Sequence, residues 1–310
     1  MAELALVTGG AGFIGSHLVD ELVRRGQRVR VFDDFSTGLR ANLAHLGGKI
    51  DVVEGTLTDP AAVERAVAGA VVVYHLAALA SVARSVEAPL VSHAACATGT
   101  LQVADAARRA GARRVVYAAS SSAYGGGSAG PDDAQTENQP LAARSPYAAA
   151  KLAGELYLQA FHATYGLETV RLRFFNIFGP RQRADSPYSG VIAIFAAKMK
   201  QGERPVVHGD GLQSRDFTYV ANAVQALVQA AESPTAVGNV YNVGTGLSVT
   251  LLDLVRELNA VLGTKLDPTF GPTRAGDVKY SRADISRTKA DLGYEPTVTF
   301  AEGLRRTVLE

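Results

Sequence analysis

Leu4-Ala5-Leu6-Val7 passes without a break into Thr8-Gly9-Gly10-Ala11-Gly12-Phe13-Ile14-Gly15, which opens an amphipathic segment closing near Arg25. No other feature restricts the fold of this chain as strongly. The apolar run reads as a buried strand and the glycine cluster as a tight turn. Leu18, Leu22 and Val23 read as the inward face of a helix over Gly15–Arg25. Val29-Arg30-Val31-Phe32 supplies the next strand. Strand, helix and strand in that order form the βαβ unit of a parallel sheet.

The rhythm continues. Strands are predicted at Val52-Val53, Val71-Val72-Val73-Tyr74, Arg114-Val115-Val116-Tyr117 and Thr169-Val170-Arg171-Leu172-Arg173, with helices over Gly99–Ala110 and Pro146–Tyr165. The strands are apolar throughout, as when helices cover both faces of a sheet. The expected fold class is α/β: a doubly wound parallel sheet over residues 1–175 and a smaller C-terminal α/β lobe over 176–310, with some chain crossing back. Past Arg173 the rhythm loosens into loops at Gly179–Gly190 and Gly209–Arg215.

Composition excludes several classes. With 31 Lys and Arg against 30 Asp and Glu, the formal net charge is +1, which argues against binding polyanions by bulk electrostatics. A single cysteine, Cys96, rules out a disulfide framework and a multi-cysteine zinc site. Met1-Ala2-Glu3 runs straight into an apolar strand, so no export signal is expected. The most membrane-like stretch, Ala66–Val82, contains Gly69, His75 and Ser81 and reads as a helix end, a strand and a loop. A soluble, cytoplasmic protein without nucleic-acid or membrane partners is expected.

Gly9, Gly12 and Gly15 have the Gly-x-x-Gly-x-x-Gly spacing where the first strand meets the first helix. Gly9 permits the turn, Gly12 lets backbone amides approach a pyrophosphate, and Gly15 lets the helix pack on the strand. The helix N-terminus adds partial positive charge. Asp33 ends the second strand, 18 residues after Gly15. An acid there accepts ribose hydroxyls and repels a 2′-phosphate, so the pattern predicts a Rossmann-type site for NAD rather than NADP.

Ser145-Pro146-Tyr147-Ala148-Ala149-Ala150-Lys151 places Tyr147 and Lys151 on one helix face, with Ser145 as cap and Pro146 in the first turn. Tyrosine is a poor base at its ordinary pKa of about 10, and a nearby cation moves it towards neutrality. The pair gains weight because it follows both a nucleotide fingerprint and a strand ending in Ser120-Ser121-Ser122.

Together, Gly9-x-x-Gly12-x-x-Gly15, Asp33, the serine run before Ala123-Tyr124-Gly125 and Tyr147-x-x-x-Lys151 resemble an extended short-chain dehydrogenase/reductase. Five further segments resemble the UDP-hexose 4-epimerases and extend the likeness over essentially the whole chain. They are Arg173-Phe174-Phe175-Asn176, Gly179-Pro180-Arg181-Gln182, Tyr188-Ser189-Gly190-Val191-Ile192, Ser214-Arg215-Asp216-Phe217 and Arg274-Ala275-Gly276-Asp277.

The resemblance implies that Tyr147 removes the proton of the sugar 4-hydroxyl, and that Lys151 holds the nicotinamide ribose and lowers the Tyr147 pKa. A serine would bridge the sugar O4 and Tyr147. Counting four back from Tyr124 selects Ser120, counting 25 back from Tyr147 selects Ser122, and both stand as candidates. NAD contacts are implied for Phe13, Ile14, Asp34, Ser36, Thr37, Gly38, Thr56, Leu57, Leu76, Ala77 and Ala78, besides Gly9, Gly12 and Asp33. The nucleotide-sugar is implied to meet Ser121, Ser122, Asn176, Val191, Arg215, Arg274, Asp277 and Ser281, the arginine forks suiting a diphosphate. The implied reaction oxidises C4, turns the 4-keto sugar over and reduces its other face, with NAD retained. A homodimer through the Gly99–Ala110 and Pro146–Tyr165 helices is implied as well.

Specificity is implied by departures among relatives. Sugar 4,6-dehydratases of this fold carry Asp-Glu after the hydroxyl residue, whereas Ser121-Ser122 here leaves no acid to eliminate water. Ser281 falls where residue size limits the sugar. A small side chain admits an N-acetyl group, adding UDP-GlcNAc/UDP-GalNAc to UDP-Glc/UDP-Gal, while a one-residue shift would put Tyr280 at the gate and reverse this. Arg183 resembles an arginine that UDP-glucuronate 4-epimerases use for the substrate carboxylate, but Asn176 follows the neutral-sugar pattern. Thr56 replaces an Asp at the adenine, and Cys96 replaces an Asn and reads as a buried packing residue.

Overall fold

The computed structural model describes residues 3–126, 130, 132–184, 190–273 and 278–309. The chain begins β1 (Leu4–Thr8), α1 (Phe13–Arg24), β2 (Arg28–Asp33), β3 (Ile50–Glu54), α2 (Pro60–Val67) and β4 (Val72–His75). Two short helices, α3 (Val82–Glu87) and α4 (Pro89–His93), precede α5 (Gly99–Arg109), β5 (Arg114–Ser120), α6 (Pro146–Tyr165) and β6 (Glu168–Phe174). Then follow β7 (Ile177–Phe178), α7 (Val191–Lys200), β8 (Val206–His208), β9 (Ser214–Arg215), β10 (Thr218–Tyr219) and α8 (Val220–Glu232). The last elements are β11 (Val240–Val243), β12 (Val249–Thr250), α9 (Leu251–Leu262), β13 (Thr269–Gly271), β14 (Tyr280–Ser281), α10 (Ser286–Leu292) and α11 (Phe300–Leu309).

Seven strands form one sheet in the order β11-β6-β5-β4-β1-β2-β3, and every neighbouring pair is parallel. Successive residues of a strand point to opposite faces, and here both faces are apolar. Leu6, Phe32, Val73 and Val115 pack with α2 and α5, while Ala5, Val31, Tyr74 and Val116 join the core that holds α1 and α8. Both faces are covered, so apolar runs replace alternation. The strand order reverses between β1 and β4, which opens a crevice at their C-terminal ends.

Local chemistry fixes the helix ends. α6 spans the predicted residues: the Ser145 hydroxyl accepts the Ala148 N–H at 3.1 Å, Pro146 opens the first turn, and Gly166 closes the helix in the left-handed region. α1 starts at Phe13 rather than Gly15, because Gly12 is already its N-cap. Between Ala66 and Val82 lie the end of α2, all of β4 and the first residue of α3. Among the described residues no helix is long and apolar enough to cross a membrane.

Beyond residue 175 the chain does not keep apart from the sheet. α8 lies against β5 and β6, and β11, which the apolar patterning missed, extends the sheet beyond β6. The remaining strands make small sheets, β7 with β10, β8 with β13, and β9 between β12 and β14. α9 packs between α7 and α11.

Candidate active site

A cleft of about 940 Å³ opens at the crevice, within the range of small-molecule sites. Gly9, Gly12, Phe13 and Ile14 line it from the β1–α1 turn, and Asp33, Asp34, Ser36 and Thr37 from the end of β2 and the loop after it. Thr56 and Leu57 follow β3, and Leu76, Ala77 and Ala78 follow β4. Gly9 has φ +71°, and a Cβ there would stand 2.7 Å from the Ala77 nitrogen. A Cβ on Gly15 would lie 2.0 Å from the Gly9 carbonyl oxygen, so Gly15 is crowded by the turn itself. No side chain caps α1, which leaves its first-turn N–H groups for an anion.

Asp33 is anchored by two amides, Ala11 N–H on Oδ2 and Phe35 N–H on Oδ1, both at 2.9 Å. Burial pushes its pKa up, and these amides draw it back. Gly38 packs beneath, where a Cβ would come within 3.0 Å of Asp33 Oδ1. Thr56 shares a 3.1 Å hydroxyl contact with Thr58. A glycine cradle, an uncapped helix N-terminus and an anchored acid at the end of β2 suit a dinucleotide.

Deeper along β5 lies a hydroxyl cluster. Ser120 Oγ accepts from the Ser122 hydroxyl at 2.8 Å and from the Ser122 N–H at 3.2 Å. The Ser120 hydroxyl is also the polar neighbour of the Tyr147 phenol. The two candidate serines are therefore connected, with Ser120 nearer the tyrosine side and Ser122 behind it. Ser121 opens the single turn Ser121–Tyr124.

Lys151 follows Tyr147 by one turn of α6. Burial pushes the Tyr147 phenol up, the Cys96 thiol adds to this, and Ser120 draws it down. The Lys151 ammonium donates to the Ala118 carbonyl at 2.8 Å and lies 4.7 Å from the centre of the Tyr117 ring. One of its three donors is used there, and burial pushes its pKa down. Ala118 lines the cleft, which joins the lysine to it. Cys96 is wholly buried and packs with Ala97 and Ala150, with Tyr147 against them.

On the substrate side, Asn176 and Arg183 line the cleft, and Val191 is the first residue of α7. Arg215 on β9 is the register partner of Ser281 on β14, and Tyr280 pairs with Ser214. Ser281 is buried and donates to Gln135 Oε1 at 3.3 Å. Arg274 and Asp277, with Tyr188, Ser189 and Gly276 of their motifs, lie outside the described residues.

A buried polar relay escaped the sequence reading. Thr100 donates to the Cys96 carbonyl at 2.6 Å, so it accepts from His75 Nε2 at 2.9 Å. His75 Nδ1 then accepts from Thr8 at 2.7 Å, and Thr8 accepts the Ala77 N–H at 3.2 Å. Burial pushes the His75 pKa down to about 3, so the ring is neutral. The available signal was a polar residue ending each of two adjacent strands, since Thr8 and His75 are register partners.

The family profile described as NAD dependent epimerase/dehydratase matches residues 5–244. A UDP-glucose 4-epimerase of Mycolicibacterium smegmatis is 39% identical over 98% of this chain and 96% of its own length. A UDP-N-acetyl-alpha-D-glucosaminuronate decarboxylase of Bacillus cytotoxicus is 31% identical over 99% of this chain and 97% of its own. Among solved structures, the UDP-N-acetylglucosamine 4-epimerase of Methanobrevibacter ruminantium, in complex with UDP-N-acetylmuramic acid, superposes with a TM-score of 0.93. It is 38% identical over all of this chain and 98% of that one.

Proposed function

Because the chain belongs to the NAD-dependent epimerase/dehydratase family, we propose that it is a UDP-sugar 4-epimerase acting on UDP-Glc/UDP-Gal and on UDP-GlcNAc/UDP-GalNAc. The observation that carries this reading is the hydroxyl cluster of Ser122, Ser120 and Tyr147 beside buried Lys151, with no carboxylic acid in the serine run. Such a cluster can move a proton on and off a sugar hydroxyl but has no acid to expel water from a neighbouring carbon.

NAD, when bound, supplies reversible two-electron oxidation at the sugar C4. Gly9, Gly12, Phe13 and Ile14 would hold its pyrophosphate and Asp33 its adenosine ribose, with Asp34, Ser36, Thr37, Gly38, Thr56, Leu57 and Leu76–Ala78 around them. Tyr147 takes the proton of the 4-hydroxyl and later returns it, and the Ser120 hydroxyl, itself supported by Ser122, stabilises the phenolate. Lys151 fixes its helix face against Ala118 and presents its remaining donors to the ribose. Asn176, Val191, Arg215 and Ser281, with Arg274 and Asp277, hold the nucleotide-sugar while the 4-keto ring turns over.

A second reading, UDP-glucuronate 4-epimerase, is favoured by the place of Arg183 in the cleft wall. NMR of product sugars after separate incubation with UDP-Glc, UDP-GlcNAc and UDP-GlcA decides between them. Inversion at C4 of the first two without released NADH is expected. Inversion of UDP-GlcA alone would install the second reading, and loss of carbon dioxide or water in place of inversion would remove both.

The proposed partner is a second copy of the chain. α3 and α4 lie against α6, and together they expose Val86, Leu90, Leu156 and Tyr157, Leu90 at 82%. The expected face uses α5 and α6; α5 carries no large exposed apolar side chain, and the exposed apolar residues of α3 and α4 beside α6 support including those helices in the proposed face. Sedimentation should find a dimer, and Leu156→Glu should yield a monomer.

A further inference from the structure

Gln135 belongs to no predicted site, yet it joins parts of the candidate active site that are far apart in the chain. It is 3% exposed and lies between the Ser121–Tyr124 turn and α6. Its Nε2 donates to the Gly126 carbonyl at 3.0 Å, and its Oε1 accepts from the Ser281 hydroxyl at 3.3 Å. Its backbone is held as well. The Gln135 N–H donates to the Arg282 carbonyl at 2.8 Å, and its carbonyl accepts the Asp284 N–H at 2.9 Å and Asn242 Nδ2 at 2.7 Å. These bonds make a one-residue parallel bridge to Ala283. A buried amide with both ends committed, on a backbone clamped from two sides, fixes the separation of the groups it holds.

One of those groups is Ser281, which the epimerase reading puts at the sugar gate, and the other is the exit of the Ser121–Tyr124 turn. Gly125, at φ +70°, closes the turn capped by Ser120, and the Gly126 N–H folds back onto the Tyr124 carbonyl at 2.8 Å. Moving Gly126 therefore moves the residues that follow Ser120. Ser281 stands opposite Arg215 and gives its only proton to Gln135, so towards a ligand its hydroxyl can only accept. The gate wall is thus a small side chain pinned in one orientation.

We infer that Gln135 positions Ser281 against the Ser120 turn and thereby sets whether the sugar site accepts a hydroxyl or an acetamido group at C2. This deepens, and rests on, the epimerase reading with Ser281 at the gate. A staple with no part in specificity would weaken both sugars alike. A positioning residue loosens the wall only where the larger substituent presses on it, so the two sugars separate.

The test compares kcat and KM for UDP-Glc and UDP-GlcNAc in three variants. Gln135→Met keeps the side-chain length and loses both arms. Gln135→Glu keeps an acceptor for Ser281 but sets a carboxylate oxygen against the Gly126 carbonyl. Ser281→Ala removes the gate arm from the other end. In Gln135→Met, kcat/KM for UDP-GlcNAc is expected to fall about tenfold further than for UDP-Glc, mainly through KM. Adding Ser281→Ala to Gln135→Met should change that ratio little, because both cut the same bond. Equal losses on both sugars, or fully additive effects, overturn the inference. Should Gln135→Met fail to fold, Gln135→Glu and Ser281→Ala carry the same comparison. A wild type that inverts neither sugar overturns the epimerase reading and this inference with it, whereas one that inverts both with an unmoved ratio overturns the inference alone.

Discussion

The dinucleotide side of the cleft and its sugar side are assembled over very different chain distances. Gly9, Gly12 and Gly15 share one turn, and Asp33 is anchored by Ala11 and Phe35, 22 and 2 positions away. On the sugar side, Ser281 meets Gln135 across 146 positions and Asn242 meets it across 107. A phosphate cradle made by one turn depends on backbone shape, so a single added carbon can destroy it. A site gathered from distant segments depends on how those segments are held, so its losses should be graded and selective.

The largest expected effect lies at the seam between the two sides. Tyr147→Phe should lower kcat about 10³-fold while leaving KM and retained NAD near wild type, since only the proton-transfer group is lost. Retained activity would separate the hydroxyl cluster from the chemistry. Next in size is Gly15→Ala, whose Cβ would fall 2.0 Å from the Gly9 carbonyl. It should destabilise the fold by about 2–3 kcal/mol and strip the nucleotide, read by chromatography of the denatured protein. Ser281→Ala should leave retained nucleotide intact. If both variants lose NAD equally, the contrast between the sides is gone.

The smallest effect is a pH slope on the dinucleotide side. His75 is neutral when folded, with its pKa pushed down by burial to about 3, against an ordinary value of about 6.5. The unfolded chain binds that proton more readily, so stability is full above about pH 6.5 and falls as pH drops towards 3. Between pH 6.5 and 5 the loss from this group is about 2 kcal/mol. Urea midpoints should show it in the wild type and show a flatter slope in His75→Gln, whose side chain binds no proton folded or unfolded. Parallel slopes would assign the pH dependence elsewhere.

The same contrast explains what could be read in advance. β1 and β5 were legible because both faces of the sheet are covered and they carry apolar residues in succession, and β2 because Val29, Val31 and Phe32 stand out between its charged residues. The ends of α6 were legible because Ser145 and Pro146 write the cap into adjacent residues. β11 was not, since it is four residues long with Asn242 turned onto Gln135 and Tyr124, a polar position that hides the strand. The choice between Ser120 and Ser122 could not be made by counting, because one hydroxyl supports the other. The contact of the Lys151 ammonium with Ala118 was not legible either, because a backbone carbonyl has no mark in the sequence.

β11 also bears on how this enzyme can move. The chain leaves the sheet after β6, returns to lay down α8 and β11, and leaves again. A protein whose halves are joined by one linker can swing like a door. Here a swing of the sugar side would have to shear several passages of chain together, one of them held by the β11–β6 ladder. The frame is laced rather than hinged.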